Sequence, residues 1–482
     1  MNHTSKPYDA IIIGGGLGGL VCALALIKRG KKVRLLEKIH MVGGCQGYFK
    51  RKGFLFEPCL HSIAEASANG AVVQTLASLG LDETPAFVKL EPTARFIFDD
   101  KIFTMPSNFN DYQTLLTQDF PQEALGIEKL YKTMNEIYQG LGRFPERVPI
   151  IERYSGLVFQ QILDEFVSNK RLQAIISGFW GYTGAPPSQA SALLYSAWFA
   201  SLCSEGSYLP QKGISHLVKS LEQAVIERGG EISLNSPVKK VLIKNGKAYG
   251  VLLESGEEIK GEAIVSNTDA TTTFFQMVGE ENLPSDFILQ LKKLNYALSS
   301  FNVFLGVKNG NSLPHDLAAE NIIIFPDDDL DSQYQRILQG KLEKVPYCIA
   351  MPTLQNPSLA PKGHHIISLY TPLPYRPEGI TNWKDKKEEY TERLISLAEN
   401  VIPGLKQKIV VKEAATPDTI VRFTGNSHGV SGGWAYTPDT DAGRPANRTP
   451  IEGLWLTGHW TFPGLGINNV IKSGCLTASL IP

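Results

Sequence analysis

The stretch from Tyr8 to Gly30, YDAIIIGGGLGGLVCALALIKRG, constrains the fold more than any other part of the chain. A run of apolar, β-branched residues ends in glycines, and an apolar helical pattern begins at once. Gly14, Gly16 and Gly19 keep the G-x-G-x-x-G spacing. One glycine makes the tight turn, another lets a pyrophosphate approach the backbone, and the third lets helix and strand pack closely. Gly30 stops the helix, and KKVRLLEK supplies a second strand that ends at Glu37. The pattern predicts a βαβ unit whose helix N-terminus faces a phosphate. Glu37 lies 18 positions after Gly19 (37 − 19). A carboxylate there accepts hydrogen bonds from a ribose diol and disfavours a 2′-phosphate, so the expected dinucleotide is FAD or NAD, not NADP.

A chain of 482 residues exceeds what one core supports, so at least two domains are expected. Hydrophobic residues at 43% and charged residues at 20% fit a folded globular protein. The formal net charge of -1 gives no bulk attraction for nucleic acid. Cys22, Cys45, Cys59, Cys203, Cys348 and Cys475 form no C-x-x-C pair, and none sits at metal-ligand spacing with a histidine. No metal is expected, and a reduced, cytoplasmic compartment is the simplest account. The N-terminus shows no signal-peptide pattern. ASALLYSAWFASLC, from Ala190 to Cys203, is too short to span a bilayer and is read as a buried helix.

Further along, KGISHLVKSLEQAVIERGG predicts an amphipathic helix with Leu217, Leu221, Val225 and Ile226 on one face. VKKVLIKNGKAYGVLLESGEEIKGEAIVSN predicts a small antiparallel meander turning at Asn245-Gly246 and Ser255-Gly256. KDKKEEYTERLISLAENVIPG reads as a surface helix with Glu389 and Arg393 one turn apart. Asp327 to Asp331, DDDLD, reads as a solvated loop.

More glycines follow Glu37 in VGGCQGY, and LTGHWTFPGLGINNVIKSG closes the sequence with a second glycine-rich turn and a helical pattern. Gly19 and Gly458 are 439 positions apart (458 − 19). An NAD site is complete within one contiguous domain, whereas the longer FAD needs another wall for its ribityl and isoalloxazine parts. Both glycine-rich ends are therefore expected to hold one FAD.

With these motifs assembled, the chain resembles the flavoprotein family of bacterial-type phytoene desaturases, carotenoid isomerases and retinol saturases. The likeness is carried by DAIIIGGGLGGL, VGGCQGYFKRKGFLFE, YTGAPPSQAS, EGSYLPQKGISHLVKSLEQAVIERGG with VSNTDA, and the C-terminal TGHWTFPGLGINNVIKSG. It implies an α/β fold: a doubly wound, Rossmann-type FAD-binding domain with a discontinuous, mixed α+β substrate domain. The expected FAD domain takes residues 1–90, 205–300 and 415–482, and the substrate domain takes 91–204 and 301–414. The resemblance places Gly14, Gly16, Gly18 and Gly19 on the pyrophosphate, Glu37 on the ribose, and Gly43 and Gly44 beside the ribityl chain. Val238 would meet the adenine side through its backbone, and Gly458, Gly466, Ile467 and Asn468 would line the flavin half. Leu17, Lys38 and Cys45 complete the expected cofactor set. Two departures lie near the flavin: Cys45 stands where amine-oxidase-like flavoproteins often carry Arg, and PCLH, Pro58 to His61, replaces a glycine-containing turn.

The implied chemistry is desaturation, saturation or cis–trans isomerisation of C–C and C=C bonds in a long apolar polyene, carotenoid-like or retinoid-like. Such chemistry demands orientation and exclusion of water more than a strong acid or base, and the sequence shows no Ser/His/Asp arrangement. There is no second G-x-G-x-x-G, so electrons are expected to pass to a quinone or oxygen, or to come from a transient nicotinamide visitor. His61, His459 and Trp460 are candidates for the flavin's surroundings. Trp180 and Tyr182 either line an apolar substrate tunnel or pack a core. A peripheral membrane contact is expected from the substrate's solubility and from the aromatic region Phe159 to Phe199. Two other readings stand beside this one: a flavin amine or amino-acid oxidase, and a prenyl-lipid-binding escort protein on the same fold. The oligomeric state is left open.

Overall fold

The structure is a computed structural model that describes residues 7–59, 62–81, 86–99, 101–143, 146–308 and 321–482. The opening unit forms as its pattern dictates. Strand β1 (Tyr8–Ile13), helix α1 (Leu17–Lys28) and strand β2 (Val33–Leu36) follow one another, and β1 and β2 pair in parallel. β1 is central because its residues are apolar on both faces. Ala10 and Ile12 enter one core with α1, while Ile11 and Ile13 enter a second core on the opposite face.

The sheet around β1 runs Glu231–Ser233, β2, β1, Glu258–Ser266, Lys247–Leu253, Val238–Lys244, with Leu454–Leu456 added in parallel beside Glu258–Ser266. The expected meander is present, and Asn245 and Gly246 take positive φ (52° and 77°) at its first turn. It is not separate: its third strand continues into the parallel sheet through Gly261 to Ser266 against β1. One layer of helices covers this sheet, formed by α1, Ile214–Glu227 and the closing helix Ile467–Leu480. Within Ile214–Glu227, Leu217, Leu221 and Val225 are buried, but Ile226 is 54% exposed. At 100° per residue Ile226 lies off the stripe that Leu217 and Leu221 define.

A second sheet runs Ile409–Ala415, Ser299–Lys308, His364–Leu373, Tyr347–Ala350, Asn321–Phe325, Ala94–Phe98, Lys101–Met105. It is antiparallel apart from the pairing of Asn321–Phe325 with Ala94–Phe98. Both faces are covered within one large core: the helices between Phe109 and Ser204 pack on the face that carries Phe96 and Tyr370, and Trp383–Val401 packs on the opposite face against Phe301 and Tyr347. The aromatic region from Phe159 to Phe199 belongs to that core: Phe159, Tyr195 and Phe199 are fully buried. Those three side chains are therefore part of the core, while Phe166, Tyr182, Leu194 and Trp198 are half-buried. Among the described residues no helix is long and apolar enough to cross a bilayer.

Two expectations about charged residues change. Glu389 pairs with Lys386 at 2.8 Å, and Arg393 reaches Glu343 at 3.7 Å, so the two do not pair with each other. The acidic run is not merely solvated. Asp329 caps Leu330–Leu338 by accepting from the Ser332 N–H, Asp327 pairs with Arg336, and Asp328 with Arg171. Among the described residues no cluster of His, Cys, Asp and Glu is arranged to hold a metal.

Candidate cofactor cleft and active site

A cavity of about 640 Å³ runs from the β1–α1 turn to the face of the second sheet. Its first half is a trench. Gly14, Gly16, Leu17 and Gly18 line it, as do Glu37, Lys38, Gly43, Gly44, Cys45 and Val238. The two glycine turns are clamped together, the Gly43 N–H donating to the Gly15 carbonyl at 2.8 Å. Glu37 is 5% exposed. It accepts from Gly15 N–H at 2.7 Å and from Ile39 N–H at 3.0 Å. These bonds fix the carboxylate at the strand end, while burial pushes its pKa up.

The closing turn supplies the far wall, where Gly466, Ile467, Asn468 and His459 line the cavity. Gly466 adopts φ +110°, so a side chain there would strain the backbone just where the closing helix begins.

Three residues expected on the cofactor do not line the cavity. A Cβ on Gly19 would lie 2.2 Å from the Gly14 carbonyl, so this glycine exists for helix–strand contact. Gly458 adopts φ +91°, and its Cα lies 3.0 Å from where a Cβ on Gly18 would be. Its glycine character is thus a packing requirement between the two ends of the chain. Trp460 is 1% exposed and stands behind the wall, its indole N–H donating to Asn426 Oδ1 at 3.1 Å. His61 lies outside the described residues.

Several residues of the cleft carried no assignable role in the sequence. Asn267 follows the strand Glu258–Ser266 and donates to the Gly14 carbonyl at 3.2 Å. Its Oδ1 would meet a Cβ on either Gly18 or Gly458 at 2.6 Å, so one side chain touches three segments. Gln276 and Met277 reach the trench from a π-helix, Thr272–Val278. Asp269 braces this region by accepting from Thr272 N–H at 2.9 Å and Ser427 N–H at 2.7 Å. Asn426 ties the wall together through Cys45 Sγ (3.4 Å), the Val430 carbonyl (2.8 Å) and Trp460. VSNTDA was the one available signal, and it marked the segment without its contacts.

The second half of the cavity is a chamber between the second sheet and the helices above it. Phe179, Trp180, Tyr182 and Trp198 form its roof, with Tyr370, Cys348, Ile323 and Phe325 on its floor. Tyr182 hydrogen-bonds to Tyr370 and lies stacked 6.3 Å from Trp198. Trp180 is fully buried as well as bordering the cavity. Both expected substrate residues therefore lie at the chamber.

The electrostatics discourage acid–base roles here. Burial, reinforced by Arg444, lowers His459 to about 4, so its imidazole is neutral near pH 7. Arg444 donates to the His459 carbonyl at 3.1 Å. Asp441 is raised to about 7 by burial, a value suited to proton transfer, but it does not line the cavity and is held by Ser191 Oγ, which donates to it at 2.7 Å. Burial pushes the Cys45 thiol up to about 11 and raises Cys59 as well, which keeps both protonated and poorly nucleophilic.

The trench fits FAD on its own geometry. Gly14, Gly16 and Gly18 line it with backbone alone, a buried carboxylate sits where a ribose diol binds, and α1 and the closing helix each present an N-terminus. Gly14, Gly16 and Gly18 would hold the pyrophosphate, Glu37 the ribose, and the Gly466–Asn468 turn the flavin half. Fold and cleft together define a two-domain FAD-dependent oxidoreductase.

Comparison with known proteins agrees. The profile of the flavin containing amine oxidoreductases matches residues 17–482, and the chain belongs to that family. It is similar to the chloroplastic prolycopene isomerase of Daucus carota, 29% identical across 98% of this chain and 80% of that protein. The all-trans-retinol 13,14-reductase of Danio rerio is 25% identical across 95% of this chain and 83% of its own length. The lycopene-forming phytoene desaturase of Pseudescherichia vulneris is 23% identical across 98% of both chains. Among solved structures, an oxidoreductase from Methanosarcina mazei matches with TM-score 0.70 at 18% identity, covering 98% of this chain and 99% of that one. A putrescine oxidase bound to putrescine matches with TM-score 0.69 at 14% identity, covering 98% and 99%. These two likenesses speak to the fold.

Proposed function

We propose that this FAD-dependent oxidoreductase acts on C–C or C=C bonds of a long apolar polyene, carotenoid-like or retinoid-like. The observation that carries the reading is continuity: the glycine-lined trench and the aromatic chamber are one cavity, with His459 and Leu465 on its wall. When bound, a flavin exchanges a hydride equivalent with such a bond. The chain's own contribution is to hold the cofactor along two distant segments, orient an apolar chain between Trp198, Phe179 and Ile323, and exclude water. His459 stays neutral and so adds no charge to that space. Reduction and desaturation, the activities of two of these relatives, are the two directions of one hydride exchange, and isomerisation, that of the third, rearranges the same kind of bond with no net redox change, which supports the class and leaves the reaction open.

A cytoplasmic location with a peripheral membrane contact belongs to the same proposal, because a long polyene dissolves in bilayers. The amine-oxidase reading draws on the family's description and on a fold likeness at 14% identity, whereas the relatives that support the polyene reading are 23–29% identical; the lipid-escort reading has no use for the Glu37 carboxylate and the glycine-lined trench.

The test is to incubate the FAD-loaded protein, oxidised or dithionite-reduced, with a polyene panel and to resolve products by chromatography. New isomers, desaturated products or saturated products support the proposal. Reduction of the flavin by primary amines, with every polyene recovered unchanged, would overturn it.

A further inference from the structure

The chamber floor is not uniformly apolar. Residues 300 and 302 of Ser299–Lys308 lie on one face of the sheet, since side chains alternate along a strand, and both border the cavity. Asn302 stands opposite Tyr370, which stands opposite Cys348, which in turn stands opposite Ile323. A row across the sheet therefore grades from amide, through phenol and thiol, to aliphatic. The next row repeats the grading: Ser300 stands opposite Pro372, and Phe325 lies at the far end. Ile323, Phe325, Phe179 and Leu202 make the distant end apolar, with Asn321 at the start of its strand the exception.

The polar end has spare bonding capacity. Asn302 donates one N–H to Ser300 Oγ at 2.9 Å. Its second N–H and its carbonyl have no partner among the described residues. This end is also the one joined to the cofactor wall. Ser299 Oγ donates to the Gly429 carbonyl at 2.6 Å, and Ala297 N–H donates to the Gly433 carbonyl at 2.9 Å. Ser431 and Gly432, between those two carbonyls, line the cavity. A pure hydrocarbon laid over Asn302 and Ser300 would displace water and return no hydrogen bond, which is unfavourable.

We propose that the chamber selects a polyene with an oxygen-bearing end, a hydroxyl or carbonyl, held by Asn302 and Ser300, with its apolar chain laid toward Ile323 and Phe325. The bond presented to the flavin then lies toward the oxygenated end. The inference rests on the polyene reading above and narrows it.

The experiment is equilibrium binding to the FAD-loaded protein, followed by quenching of tryptophan emission, with retinol and its deoxy hydrocarbon, axerophtene, as probes. Retinol is expected to bind roughly tenfold more tightly, the worth of about one buried hydrogen bond. Ser300→Ala and Asn302→Leu, each checked for retained FAD, are expected to bring the ratio toward one. Equal or tighter binding of the hydrocarbon by the unsubstituted protein overturns the selection while leaving the polyene reading intact. Failure of both probes to bind, together with flavin reduction by an amine, overturns both.

Discussion

His459 and Asp441 flank Arg444 and are displaced from their ordinary titrations in opposite directions, so pH separates them. His459 is lowered from 6.5 to about 4. As the pH drops below 6.5 the unfolded chain takes up a proton that the folded chain refuses, and stability falls. Between pH 7 and pH 5 that loss is about 2 kcal/mol, at 1.36 kcal/mol per pH unit. Asp441 is raised from 3.8 to about 7. Over the same interval the folded chain binds a proton that the unfolded chain still lacks, and stability rises by about 2 kcal/mol. The two arms offset each other in the unsubstituted protein. His459→Gln removes the first arm and leaves a net gain on acidification. Asp441→Asn removes the second and leaves a net loss. Urea unfolding of the FAD-loaded protein at pH 5 and pH 7 should therefore show the two variants diverging by about 4 kcal/mol. Every other titrating group is common to both and cancels in that difference. Parallel pH profiles for the two variants would refute the assignment of opposite shifts around Arg444.

Gly19→Ala would force a Cβ to within 2.2 Å of the Gly14 carbonyl, which cannot swing away. Overpacking of this kind costs about 1–3 kcal/mol or more, and purification should yield protein with little bound FAD. Glu37→Gln should weaken FAD roughly tenfold or more in equilibrium dialysis, since a charge-assisted ribose contact becomes a neutral one. Asn426→Ala leaves the buried Trp460 indole N–H without its partner; chemical denaturation should show a loss of about 1–3 kcal/mol. Liposome flotation tests the membrane contact directly, and protein left wholly in the soluble fraction with polyene-loaded vesicles would count against it.

The opening βαβ unit was legible because each glycine answers a local demand that the sequence displays beside it: a strand end, a helix start and an acidic residue at fixed distance. The closing turn was legible for the same reason, and the trench gathers residues from both. Asn267 shows where such reading stops. Its type suits many loops, and its role exists only once β1–α1, the central sheet and the closing turn converge on it. Gly19 meets the packing demand that the third glycine of the spacing announces, whereas nothing beside Gly458 in the sequence displays that its neighbour is the backbone of Gly18. Glu389 and Arg393 had helical spacing for a pair, but tertiary partners compete with spacing and won in the case of Arg393. Within the Phe159 to Phe199 region, composition cannot reveal the sheet and helices that cover Phe159, Tyr195 and Phe199.

The contact between the closing helix and α1 has a consequence for biosynthesis. A Cβ on Gly474 would lie 2.8 Å from the Gly18 carbonyl, so the two helices meet across 456 positions of sequence (474 − 18). Closing so long a loop is slow, and it can occur only after Gly474 has left the ribosome. Up to that moment the trench lacks one wall, and the first βαβ unit alone offers the dinucleotide half of a grip. Cofactor capture should therefore be among the last events of folding, and newly made chains would pass through an apo intermediate with the chamber open. Cellular FAD supply would then govern how much of the protein survives quality control, more than it governs how fast the protein is made.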